Sequence, residues 1–425
     1  MKKVADWAIR NPFWVTALTC VVFYLLPFKP KPFGDGDYHL GTIQLIDFMA
    51  NGFSGNVMIN KGFVTLFCYL PSYLVAYPFH SDAVYFACGV IFGCFFVCLA
   101  VKLLFDAFGL MGFSDRTKLF VLLLLSLFPV HVYYAMGIIG EAFAFFASAA
   151  FVYFLVKIHK AHALPKHYAA LALSLILIYG MKPSMLPFVV VCAGYVLVVK
   201  SAAKHRLAFA AALLLLPALI LLEQRLDQSG MEFKSRVFRG QILWSRYELR
   251  DEPLNWMPQH GNDAFASQDY KNNLRKRKEL DSICAVQGLD PTKYYIDWVK
   301  NDILTHPGIT LRQYFLKFFQ SQSFVISPLM KSNKPAVVKY GIHAYINLIN
   351  LVLVVLALFG LVKLYRNREY KLFFPFLFFW GWCLMYVCLF HSEQRYMFVF
   401  RPCLVFLSAY AISLWAARST TNINP

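Results

Sequence analysis

His391, Glu393 and Arg395 stand within five residues of one another, in "HSEQR", where two strongly apolar runs nearly meet. A turn between two apolar helices needs only Gly or Asn, so three ionisable side chains in one place ask for another reason. On a helical start His391 and Arg395 share a face, four residues apart, with Glu393 turned away. A cationic His–Arg face suits a phosphate or pyrophosphate leaving group, with Arg as the bidentate partner. An internal Glu393–Arg395 ion pair is the structural alternative. Asp35 and Asp37, in "FGDGDYHL", offer carboxylates able to act as a general base on an acceptor hydroxyl or to hold a divalent cation, Mg or Mn, through oxygen ligands. Gly-Asp-Gly-Asp is equally a helix entry, with Asp37 as its cap. Glu141, in "MGIIGEAFAFF", either complements a helix N-terminus or is a costly carboxylate kept for function. Lys182, in "YGMKPSMLPF", either snorkels to headgroups or pairs with the phosphate of a lipid-linked substrate.

What must position these groups is a chain of 425 residues, 59% hydrophobic and only 15% charged. Apolar runs fall at 13–28, 62–79, 82–105, 118–136, 141–158, 167–180, 184–199, 206–222, 342–363, 372–390 and 397–415. Runs of about 20 residues can cross a hydrocarbon layer about 30 Å thick, so the expected class is an all-α polytopic membrane protein. The net charge of +18 then belongs to cytoplasmic loops and anionic headgroups rather than to nucleic acid. Met1–Phe28 has a basic start and an apolar centre but no small-residue cleavage site, and reads as a retained first helix. Nine of the ten cysteines lie in apolar runs and Cys284 in a polar region, without disulfide or zinc spacing. That polar region, 223–341, separates an N-terminal membrane module, 1–222, from C-terminal membrane helices, 342–425.

The run 62–79, "GFVTLFCYLPSYLVAYPF", decides the topology. If it does not cross, the chain has ten transmembrane helices with both termini in the cytoplasm. The basic segments 115–118, 157–167, 200–206 and 363–371 then fall inside, as positive-inside statistics require. If it crosses, all four fall outside. Pro71, Pro78 and the run's many Tyr and Phe suit an interfacial or re-entrant piece. The first loop, 29–81, Glu141, Lys182 and "HSEQR" then share the outer face with a large extracytoplasmic loop, 223–341. Tyr38, Leu40, Ile43, Leu45, Ile46 and Phe48 form an amphipathic stretch suited to the membrane surface.

In this layout the chain resembles the C-type integral-membrane glycosyltransferases, which take sugars from polyprenyl-phosphate carriers. Asp35-Gly36-Asp37-Tyr38 is similar to their first-loop acidic motif, and Gly140–Glu141 opens a helix after "LFPVHVYYAM". "HSEQRY" (391–396) resembles the His-Lys-Glu-x-Arg-Phe motif of lipid-linked mannosyltransferases, with Ser392 in place of Lys and Tyr396 in place of Phe. "MKPS" is similar to the Arg-Pro-Ser/Thr turn of bacterial members, and 294–319 to the amphipathic helix pair of their outer loop.

The resemblance implies an inverting transfer at the outer face of a bacterial inner membrane, facing the periplasm. Asp35 or Asp37 would be the base, and Lys182, His391 and Arg395 would hold the donor phosphate. Glu141 and Glu393 would orient these groups or bind a metal. The implied partners are a polyprenyl-phosphate sugar donor, a lipid-linked or cell-envelope glycan acceptor and membrane lipids. Aromatic residues of 62–79 and of the helix pair would cradle the polyprenyl tail or anchor the surface. A membrane polysaccharide polymerase or ligase shares the layout but does without an early Asp. A transporter places its ionisable residues in mid-helix, whereas these cluster at helix ends.

Overall fold

The computed structural model describes residues 2–26, 37–54, 57, 63–127, 130–161, 163–199, 202–226, 230–251, 267–324, 334–390 and 397–421. Apart from turns and short connections these residues are helical, with no strand element among them. In chain order the helices are α1 (Lys2–Arg10), α2 (Pro12–Leu25), α3 (Asp37–Ala50), α4 (Phe63–Ala76), α5 (Asp82–Leu110), α6 (Asp115–Leu127), α7 (Val130–Ala135), α8 (Glu141–Lys160), α9 (Pro165–Met181), α10 (Leu186–Val198), α11 (Ala203–Leu213) and α12 (Leu215–Leu226). There follow α13 (Gly230–Tyr247), α14 (Gln268–Gln287), α15 (Pro291–Thr305), α16 (Pro307–Gln322), α17 (Ala336–Arg366), α18 (Tyr370–Leu389) and α19 (Arg401–Thr421).

Five of these stretches are long and apolar enough to cross a membrane: Asp82–Leu110, Glu141–Lys160, Ala203–Leu226, Ala336–Arg366 and Tyr370–Leu389. The pair α1 and α2 meets the same test together but is bent by 94°. Pro12 cannot donate a backbone hydrogen bond, and Asn11 instead closes the first helix by donating its side-chain amide to the Trp7 carbonyl at 2.9 Å. Phe63–Phe79, Pro183–Val198 and Arg401–Trp415 are apolar but shorter. Within the run 62–79, Phe63–Ala76 is thus a short helix with Pro71 inside it, followed by a 3-10 turn over Tyr77–Phe79.

The chain divides into two compact units. The first comprises Met1–Gln228, Ala344–Trp382 and Phe398–Pro425. Its heart is α8, where Ala142, Ala144, Ala147, Ser148 and Ala149 are buried, so that α5 and α9 pack closely on either side. The antiparallel run of α8 and α9 puts Glu141 and Lys182 at one end of the unit. At the other end Lys160 binds Glu369 at 2.6 Å, with His159 on the same carboxylate, so the basic segments 157–167 and 363–371 lie together.

The second unit comprises Ser229–His343 and Cys383–Met397. Its helices have local start signals: Ser267 accepts from the Tyr270 amide at 3.1 Å, and Asp290 from the Thr292 amide at 2.8 Å, with Pro291 next in line. The apolar core is small, formed by Ile242, Leu243, Leu280 and Tyr295. Beside it runs a buried polar network. Arg246, 1% exposed, donates to Asp302 at 2.8 Å and to Thr310 at 2.9 Å, and Arg250 reaches Asp302 at 3.1 Å. Gln313 donates to the Arg246 and Glu248 carbonyls, and Lys317 to the Ser245 and Cys388 carbonyls, the last in the final turn of α18. Burial pushes the Lys317 amine below its ordinary range against the pull of Glu248.

Burial alone would raise the Asp302 carboxyl, but the hydrogen bond from Arg246 and the charges of Arg250 and Arg246 outweigh it and hold it below its ordinary value. Its stabilisation is therefore full at neutral pH and is lost as acid protonates it, from about pH 4 downward. Asp302→Asn strands two guanidinium groups and is expected to cost about 3–5 kcal/mol in this unit. Amide hydrogen exchange across 235–322 checks this: protection should fall in the variant at neutral pH, and equal protection would assign the network no weight.

Candidate functional site

Glu141 and Lys182 come together. Lys182 donates from Nζ to Glu141 Oε1 at 2.6 Å. The carboxylate side chain is 1% exposed and the lysine side chain 12%. Glu141 is the first residue of α8, so its charge also meets that helix's N-terminal dipole. Its second oxygen, Oε2, is buried without a hydrogen-bond partner among the described residues. Lys182 ends α9, its amide donating to the Ile178 carbonyl, and starts the tight turn Pro183–Met185. Trp382 of α18 fixes that turn by donating from its indole to the Ser184 carbonyl at 2.7 Å.

The backbone around the pair is held by α4 and α3. The Tyr69 hydroxyl accepts from the Ile139 amide at 3.0 Å and donates to the Ile139 carbonyl at 2.9 Å, clamping the segment that leads into Glu141. The Thr65 hydroxyl donates to Met181 Sδ at 3.2 Å, next to Lys182. Gly140 is tightly placed: a Cβ there would lie 3.1 Å from both Thr65 Oγ1 and the Tyr38 hydroxyl, which would have to give by a few tenths of an ångström. Gly180 is placed more tightly still, since its Cβ would sit 2.1 Å from Val64 Cγ2 and 2.7 Å from Val64 Cβ. Helix α3 docks on α4 through His39, which shares a hydrogen bond of 2.8 Å with the Tyr73 hydroxyl, and on the 3-10 turn after α4 through Asp47, which accepts from Tyr77 at 2.9 Å. Tyr38, the residue after Asp37, therefore reaches the Gly140–Glu141 turn.

The other expected site residues fall outside the described part: Asp35, His391, Glu393 and Arg395, and the side chain of Asp37, whose backbone opens α3. Among the described residues no group of three or more His, Cys, Asp or Glu could hold a metal ion. Glu141 is a poor start for one, because the ammonium of Lys182 already occupies one carboxylate oxygen and repels a second cation.

Sequence reasoning passed over other buried polar groups in this unit. Arg401, 8% exposed, opens α19 and donates to Asn350 Oδ1 at 3.0 Å. His131, 2% exposed, stacks on Phe145 with ring centroids 5.5 Å apart. Phe398, two residues beyond Tyr396, stacks on the same Phe145 at 5.6 Å, and Phe145 lies one helical turn from Glu141 on α8. Their only signal in the sequence is a His and an Arg inside apolar runs. Compared with known protein families, with curated proteins and with solved structures, the chain matches none.

Proposed function

We propose that this protein is a membrane glycosyltransferase that moves a sugar from a polyprenyl-phosphate carrier to a lipid-linked or cell-envelope glycan acceptor. In this reading the chain crosses a bacterial inner membrane ten times, 62–79 is re-entrant, and the chemistry faces the outside. The observation that supports it best is the meeting of three separate sequence motifs in one unit: Tyr38 of the acidic loop motif reaches Gly140, and Glu141 holds Lys182 at 2.6 Å. A buried carboxylate–ammonium pair at a helix end is costly to maintain for structure alone.

Asp35, or Asp37, takes the proton of the acceptor hydroxyl as its oxygen attacks the anomeric carbon. The bond from that carbon to the phosphate oxygen breaks, the configuration inverts, and polyprenyl phosphate leaves. Lys182, His391 and Arg395 meet the charge that develops on the leaving phosphate, and Glu141 keeps Lys182 in place. Glu393 fixes the Arg395 guanidinium.

The test uses purified protein with a polyprenyl-phosphate sugar, following donor binding and turnover on the same preparations. Arg395→Lys keeps the charge but loses the fork, and is expected to lose much of its turnover while expressing normally. Arg395→Ala loses more, and Glu393→Gln falls between. A well-folded Arg395→Ala protein that binds and turns over donor normally removes the phosphate role. If Glu393 and Arg395 form only a structural pair, activity falls in proportion to folded protein, and the melting temperature falls with it.

A further inference from the structure

The groove at the α1–α2 elbow is a second polar site, far along α8 from Glu141. It has a volume of about 970 Å³ and lies between the elbow, the C-terminal half of α5, the start of α6 and Tyr153 of α8. Tyr153 is twelve residues beyond Glu141 on α8, a rise of about 18 Å. Six charged side chains line the groove and they balance: Asp6, Asp106 and Asp115 against Arg10, Lys102 and Lys118. Two pairs satisfy themselves, Lys102–Asp106 at 2.6 Å and Lys118–Asp115 at 3.5 Å. Asp6 and Arg10 stand four apart on α1 yet form no ion pair with each other or with any other described residue. The groove therefore presents one open carboxylate and one open guanidinium side by side.

An anionic headgroup would gain Arg10 but meet Asp6, whereas a zwitterion carrying phosphate and primary ammonium two carbons apart satisfies both. The groove also continues into an apolar track. Trp14 lines it, and Trp14, Leu18, Val21 and Leu25 follow at helical spacing on α2, exposed by 62%, 63%, 59% and 78%. A chain attached to the headgroup can lie along that stripe.

We propose that this groove binds an aminophospholipid of the phosphatidylethanolamine type, with its phosphate on Arg10, its ammonium on Asp6 and an acyl chain along α2. The site does not depend on the glycosyltransferase reading.

Native mass spectrometry of the delipidated full-length protein, titrated with phosphatidylethanolamine, phosphatidylcholine and phosphatidylglycerol of one acyl composition, tests it. Phosphatidylethanolamine should bind tighter than either by about fivefold, the size of one half-exposed ion pair. Asp6→Asn should erase that preference and leave phosphatidylglycerol binding equal or stronger, while Arg10→Gln weakens all three. Melting temperatures measured without lipid should match wild type in both variants. Equal binding of the three lipids by wild type overturns the proposal, as does tighter binding of phosphatidylglycerol than of phosphatidylethanolamine by wild type, or an unchanged phosphatidylethanolamine preference in Asp6→Asn. Glycerophosphoethanolamine, which lacks acyl chains, should compete weakly, and competition as strong as that of the whole lipid would remove the acyl track and the lipid with it.

Discussion

Asp35→Asn is expected to remove nearly all transfer, a loss of about 100- to 10,000-fold in turnover, while the protein folds and still binds donor. The amide keeps the size of the side chain and its hydrogen-bonding reach but cannot take the acceptor's proton. Asp37→Asn should behave differently. Helix α3 begins at Asp37, and an acidic residue at the first position of a helix generally favours that helix through its dipole. Its replacement is expected to lower melting temperature or donor affinity and to spare most of the turnover. Tyr38, 4% exposed and set against Gly140, makes the start of α3 sensitive to such a change. Purified variants assayed with the same donor, with melting curves alongside, separate the two roles. Near-normal turnover in both variants would sink the general-base step, and the reverse ranking would move the base to Asp37.

The helices were legible in the sequence where the signal is local. The run 141–158 is α8 with its acid at the first position, and 294–319 is the pair α15 and α16, broken where Pro307 follows His306. Partnerships were not legible. Lys182 and Glu141 are 41 residues apart, and Arg246 and Asp302 are 56 apart. Only the packing of α9 on α8, or of α15 on α13, decides that these side chains meet, and no short-range pattern records it. Helix α3 shows the same limit within one element. Hydropathy groups Leu40 with Tyr38, Leu45 and Ile46 on an apolar face; the last three are buried and Leu40 is 53% exposed, and the pattern gives no sign that His39 and Thr42 are buried at 7% and 0%. The Tyr73 hydroxyl satisfies His39, and Thr42 donates back to the Tyr38 carbonyl at 2.6 Å, so burying these polar groups costs little. For α4 the sequence suggested a re-entrant piece from Pro71 and the aromatics. What it could not show is that Tyr69, fully buried, would spend its hydroxyl on the Ile139 backbone.

Lys182→Ala is expected to lower turnover by about 100- to 1000-fold, the usual cost of removing one aligned donor from a developing oxyanion. The same change leaves the Glu141 carboxylate, 1% exposed, without its ammonium, at a cost of about 3–5 kcal/mol in stability. A single variant therefore confounds catalysis with folding. The pair Lys182→Met and Glu141→Gln resolves them, because it removes both charges at nearly constant volume and relieves the buried ion. If Lys182 meets the donor phosphate, this double variant recovers most of the melting temperature and none of the turnover, and its donor affinity stays low. If the pair only ties α8 to α9, turnover returns with stability. Glu141→Gln alone leaves a lysine that keeps its charge and loses its anchor, so donor binding should survive while turnover falls. A double variant that is both stable and fully active would confine Glu141 and Lys182 to structure.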